Sequence, residues 1–188
     1  GAAGAQLVGG HTTMGAELSI GFTVTGTREK MPLTVAGAQD GDVLILTRPI
    51  GSGVILAADM AGQADGRDVA AALAIMAQPQ GREAAVLGRV ATAMTDVTGF
   101  GLAGHILAIC EASALDATLL LADIPVYAGA RALAERGISS SLTVVNRADA
   151  AVEGVEDALL FDSQTAGGML ASVPVGQVDV VLDALSVQ

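Results

Sequence analysis

One carboxylate, Asp96, stands just ahead of three closely spaced glycines, Gly99, Gly101 and Gly104. The apolar positions that follow have a helical period. A helix start exposes backbone N–H groups that attract phosphate, and a carboxylate beside them repels it unless a divalent cation lies between. Asp96 is therefore the candidate Mg²⁺ ligand. The same glycines spell G-x-G-x-x-G, the fingerprint of dinucleotide sites, and Asp123 falls near the distance at which that motif carries an acidic residue. The fingerprint also requires a strand immediately before it. The lead-in Gly88–Met94 is alanine-rich and reads as a helix end, so a nicotinamide or flavin site is disfavoured.

Two further residues near the turn have reactive side chains. His105 borders the stripe Leu102, Ile106, Ile109 and Cys110, which favours a hydrogen-bonded packing role over a ligand or general base. Cys110 lies on the apolar side of the same helix, which favours packing over catalysis.

The elements that must hold the turn follow from periodicity. Leu18, Ile20, Phe22 and Val24 alternate with small polar residues, as in a half-buried strand. Thr27 to Asp40 is rich in turn residues and suits a domain boundary. Asp42–Thr47 is a continuous apolar run, expected as a strand buried on both faces, with Ser52 a possible cap for a helix through Ala58. Helices are expected over about Arg67–Met76, Gly81–Ala93, Val126–Arg136 and through Val178–Leu185. Strands are expected at Ala117–Leu121, Leu159–Phe161 and Met169–Val173. Ser139 to Val155 reads as loop, and Asn146 and Arg147 within it as turn residues rather than ligand contacts. The segment Asp162–Gly168 carries a carboxylate, two hydroxyls and two glycines, suited to a tight turn or to the wall of a polar pocket. Together these elements predict a layered α+β fold with a mixed sheet and packed helices.

Composition excludes several classes. The chain has 188 residues, 52% of them hydrophobic and 15% charged, which argues against disorder. Twenty acidic against nine basic residues give a net charge of −11, unfavourable for nucleic acid or anionic membrane. A single cysteine excludes an internal disulfide framework. No apolar run reaches membrane-span length and no signal-peptide pattern appears, so a cytoplasmic protein is expected. The opening Gly1–Gln6 lacks an initiator methionine and suggests a fragment.

Four segments taken together resemble one known family: Gly9–Thr12 (GGHT), the strand through Val24–Gly26, Thr95–Gly101 (TDVTGFG) and Asp162–Gly168 (DSQTAGG). Asp42–Asp59 supports the likeness. In order and spacing they are similar to selenophosphate synthetase (selenide, water dikinase), within the superfamily that includes aminoimidazole ribonucleotide synthetase. The resemblance implies an ATP-dependent enzyme making selenophosphate, AMP and orthophosphate from ATP, selenide and water, with Mg²⁺ as cofactor and a homodimer as the assembly. It implies that Asp96 corresponds to a magnesium-binding aspartate, and that Gly10, His11 and Thr12 contact nucleotide in the partner subunit's site. It also implies that residues 1–26 are the last helix and strand of an N-terminal ATP-binding domain, 27–40 a linker, and 41–188 the C-terminal synthetase domain. The family's catalytic cysteine or selenocysteine, its lysine and its other metal-binding aspartates lie upstream of Gly9, so no catalytic residue is expected here and the piece alone should be inactive. Met76–Gly81 departs from the family's more Asn-rich pattern. Alternatives are another ATP-dependent member of the superfamily, of the purine cyclo-ligase or thiamine monophosphate kinase type, and a non-catalytic dimerisation module.

Overall fold

The computed structural model describes residues 4–27, 31–150, 152, 154 and 157–186. Gly1–Ala3 of the expected fragment start and Val155 at the end of the expected loop lie outside these residues. The chain divides into two units, Gly1–Pro32 and Leu33–Gln188. The boundary falls inside the segment expected as a linker, 27–40.

In the first unit the described residues form neither helix nor strand. The strand expected through Leu18, Ile20, Phe22 and Val24 is not formed, and all four side chains are exposed. Alternation prepares a segment to lie in a sheet, but a strand needs a neighbour for its N–H and C=O groups.

The second unit is α+β. Its sheet has three strands, β1 (Val43–Leu46), β2 (Ala93–Asp96) and β3 (Met169–Val173), in the order β1-β3-β2. Both pairings are antiparallel, with Leu46 opposite Leu170 and Asp96 opposite Met169. β1 is therefore an edge strand with only Ile45 fully buried, not the doubly covered strand its apolar run suggested. Seven α-helices accompany the sheet among the described residues: α1 (Ser52–Met60), α2 (Gly66–Met76), α3 (Gly81–Leu87), α4 (Gly101–Ser113), α5 (Ala130–Glu135), α6 (Thr143–Asp149) and α7 (Val178–Ser186).

Two apolar clusters hold this unit together. The larger joins α1, α2, α4 and α5 around Ile50, Val54, Ile55, Val97, Leu102, Ile106, Leu159 and Leu160. The smaller puts Leu87 of α3 and Val181 of α7 against Ile45, Ala171 and Val173 of the sheet. Burial of this kind is worth roughly 1.5–3 kcal/mol for each large side chain, and it outweighs weak local preference. Leu159–Phe161 shows the consequence. These residues are fully buried, but as a 3-10 turn rather than the expected strand.

Three other segments differ from the sequence reading. α3 ends at Leu87, Gly88–Thr92 turn, and Ala93 and Met94 open β2, held by pairing to β3 and by a bond from the Met94 N–H to the Thr34 carbonyl (2.9 Å). α6 occupies the middle of the expected loop. The strand expected at Ala117–Leu121 is not formed: Ala117–Leu120 is irregular and Leu121–Asp123 is a 3-10 turn, while further on Ile50 and Val126 make an isolated parallel bridge. A largely apolar cavity of about 720 Å³ opens between β1, α4 and this segment. No helix of the described residues is long and apolar enough to cross a membrane.

Candidate functional site

Asp96 is the last residue of β2. Its backbone is fixed by the sheet, and the next N–H, of Val97, donates to the Gly168 carbonyl at 2.8 Å. The side chain is exposed and has no hydrogen-bond or ion-pair partner among the described residues. The chain then turns through Thr98–Phe100 into α4. In that turn Gly101 has φ +72°, and a Cβ there would lie 2.8 Å from the Leu160 carbonyl oxygen. Only glycine combines that backbone angle with so close an approach.

A strand thus does precede the glycine turn, contrary to the helix end expected there. The dinucleotide reading still fails, because among the described residues β2 pairs with β3 alone and antiparallel to it, and the fingerprint belongs to a parallel βαβ unit.

His105 settles inside the turn. Its Nε2 accepts the Thr98 N–H at 3.0 Å, and its ring meets Phe100 edge-on with centroids 5.8 Å apart. Burial holds its pKa below the usual histidine value, with the charge of Asp96 opposing. An imidazole that accepts through Nε2 and resists protonation is a packing group, as expected. Cys110 on the same helix is half-buried against the larger apolar cluster, and its pKa is raised, by burial first and then by Asp116 and Glu111.

The loop 162–168 forms the other wall. Gln164 donates its N–H to the Thr98 carbonyl (3.0 Å), and Ser163 Oγ donates to the Gly99 carbonyl (2.9 Å). A Cβ at Gly167 would collide with the Val97 carbonyl, so the two loops touch through bare backbone. Arg48, itself buried, donates to the carbonyls of Ala166 and Gln78, and Gln80 donates to the Gly167 carbonyl at 2.9 Å. The atypical Gln78–Gln80 segment thereby braces the loop.

The same loop closes the start of α1. Gln164 Oε1 accepts from the N–H groups of Gly51 (3.0 Å) and Ser52 (3.2 Å) and from Ser52 Oγ (3.0 Å). Asp162 Oδ2 accepts from the N–H groups of Gly53 and Val54. Ser52 is thus the first helical residue and not the expected cap. Asp162 is fully buried, and its Oδ1 has no partner at hydrogen-bond geometry. Burial pushes its carboxyl pKa up, opposed by the nearby Ser140 hydroxyl, the Val54 N–H, Gln164 and the Gly53 N–H.

The two helix starts now differ. Side chains occupy the first N–H groups of α1, whereas those of Leu102 and Ala103 in α4 have no acceptor among the described residues. The exposed Asp96 carboxylate and these helix-start donors flank the same glycine turn, a combination that suits a metal-bound phosphate. No group of three or more His, Cys, Asp or Glu side chains able to hold a metal occurs among the described residues. A cation at Asp96 would need its other ligands from outside the described residues. Gly10, His11 and Thr12 are exposed and lie in the first unit. The large apolar cavity is not lined by Asp96 or by residues 97–101.

Residues 39–188 match the family AIR synthase related protein, C-terminal domain, and the chain belongs to that family. Among curated proteins it is 40% identical over 160 residues to the "Selenide, water dikinase" of Myxococcus xanthus, covering 79% of this chain and 46% of that protein. It is 36% identical over 182 residues to the one of Dechloromonas aromatica, covering 91% of this chain and 52% of that protein. The chain thus spans about half the length of these relatives. Among solved structures, a hydrogenase maturation protein HypE superposes with a TM-score of 0.62 at 16% identity, covering 81% of this chain and 42% of that one. Escherichia coli HypE gives 0.56 at 17% identity, covering 83% and 42%. At such identities these two likenesses concern the fold alone.

Proposed function

We propose that this chain acts as the C-terminal part of a selenide, water dikinase, which converts ATP, selenide and water to selenophosphate, AMP and orthophosphate. The observation that carries the reading is the unpartnered, exposed Asp96 carboxylate held at the end of β2, just ahead of the glycine turn into α4. Phosphoryl transfer gathers charge on non-bridging oxygens, and Mg²⁺ held by carboxylates offsets it. Asp96 would supply one such carboxylate, and the N–H groups of Leu102 and Ala103 would face phosphate oxygens. The choice of selenide rests on the relatives, whose names state that reaction.

In the same reading Gly10, His11 and Thr12 contact nucleotide across a homodimer, and the enzyme works in the cytoplasm. In this reading Cys110, packed against the core, and His105, bonded to the Thr98 N–H, take no part in the chemistry. The reacting groups are accordingly assigned to residues outside this chain. Selenide-stimulated ATP hydrolysis is the test. The complete protein is expected to turn over and the isolated 188-residue chain to show none; turnover by the isolated chain at the rate of the complete protein would overturn the proposal.

A further inference from the structure

Asn146 is one of only two buried residues on α6, the other being Thr143. Their neighbours Val144 and Val145 are 75% and 53% exposed, so polar contacts rather than apolar burial dock this helix. The Asn146 amide nitrogen donates twice, to the Gly99 carbonyl at 2.8 Å and to the Phe161 carbonyl at 2.9 Å. One carbonyl belongs to the turn after Asp96 and the other to the residue that leads into Asp162. Crowding does not fix the turn at Gly99, where an added Cβ would meet nothing within 4 Å. Its place depends on what its carbonyl accepts, which is Asn146 and, at 2.9 Å, Ser163 Oγ.

We infer that Asn146 is a positioning residue for the turn after Asp96: a single amide ties the Gly99 and Phe161 carbonyls together and so sets where the turn into α4 lies relative to the Asp96 carboxylate, whose own backbone the sheet holds. The inference deepens the proposed function and rests on the reading of Asp96 as a Mg²⁺ ligand. Groups that orient a metal ligand change metal affinity without touching the ion, typically by about 10- to 100-fold.

The experiment compares Asn146→Ser, Ser163→Ala, Val144→Ala and Asp96→Asn in the complete protein. It reads the Mg²⁺ concentration needed for half-maximal ATP binding by calorimetry, and amide hydrogen exchange across Val97–Phe100 without metal. Asn146→Ser is expected to raise the Mg²⁺ requirement about ten-fold and to speed exchange in the turn. Ser163→Ala, which removes the other donor to Gly99, should move both readouts the same way by less, and Val144→Ala should move neither. A folded Asn146→Ser protein with a lower melting temperature but an unchanged Mg²⁺ requirement overturns the inference. If that variant does not fold, an unchanged requirement in Ser163→Ala overturns it instead. Asp96→Asn separates the two levels. Lost Mg²⁺ dependence there, with none shifted in the clamp variants, defeats the positioning role alone. Unaltered Mg²⁺ dependence in Asp96→Asn defeats the reading of Asp96 and the positioning role with it.

Discussion

Gln164→Leu removes the side chain that closes the start of α1 while keeping its approximate size. Gln164 is 5% exposed, and its Oε1 is the acceptor for two backbone N–H groups, of Gly51 and Ser52. In the variant both donors stay in a dry site without an acceptor. Each unsatisfied buried N–H costs about 1–3 kcal/mol, so the pair predicts a loss of about 2–6 kcal/mol. The Ser52 hydroxyl keeps the bond it accepts from the Thr165 N–H at 2.9 Å but loses the acceptor of its own proton, so this sum is a lower bound. The assay is urea unfolding of the 188-residue chain, where the midpoint should fall with the slope unchanged. For a unit of this size the loss corresponds to a melting temperature lower by about 10 °C. Gln164→Glu is a sharper companion. It keeps the acceptor but sets a second carboxylate against Asp162, to whose Oδ2 the Gln164 amide now donates at 3.1 Å. Its instability should therefore ease as the pH falls and one carboxyl protonates. A change below about 0.5 kcal/mol in Gln164→Leu would refute the claim that this side chain closes α1.

Two other predictions concern the turn. Gly101→Ala forces a side chain into left-handed backbone and against the Leu160 and Phe161 backbone, so it should cost about 3 kcal/mol or more, measured by thermal unfolding. For His105, burial sets the folded pKa below the unfolded value near 6.5, so the unfolded chain binds the proton more readily. Its contribution to stability is present above about pH 6.5 and is lost as the pH falls below that value. Unfolding free energy between pH 7 and pH 5.5 should therefore drop less in His105→Gln, whose amide oxygen can still accept the Thr98 N–H. Equal slopes would contradict the assignment.

The parts of this fold legible in the sequence are those with local period. α2, α4 and α7 follow from apolar residues three and four apart, and β1 and β3 from short apolar runs between turn residues. The packing roles of His105 and Cys110 followed from their place beside the α4 stripe. Contacts across long separations leave no such mark. Asn146 read as turn chemistry, yet it bonds Gly99, 47 residues away; Gln164 lies 113 residues from Gly51. The one available signal was composition, since a polar loop such as Asp162–Gly168 between buried segments needs partners for its groups. β2 was misread because alanine favours helix by a few tenths of a kcal/mol, a preference that pairing with β3 overrides. Leu159–Phe161 was misread because an apolar run records burial and not backbone angle.

The central claim is that Asp96 holds the cation that carries nucleotide phosphate. The most direct measurement is anomalous scattering from Mn²⁺, substituted for Mg²⁺, in crystals of the complete protein with a non-hydrolysable ATP analogue. A peak within about 2.2 Å of an Asp96 carboxylate oxygen, bridged to a phosphate, is the predicted result. Bound nucleotide and metal with the Asp96 carboxylate outside the coordination sphere would contradict it.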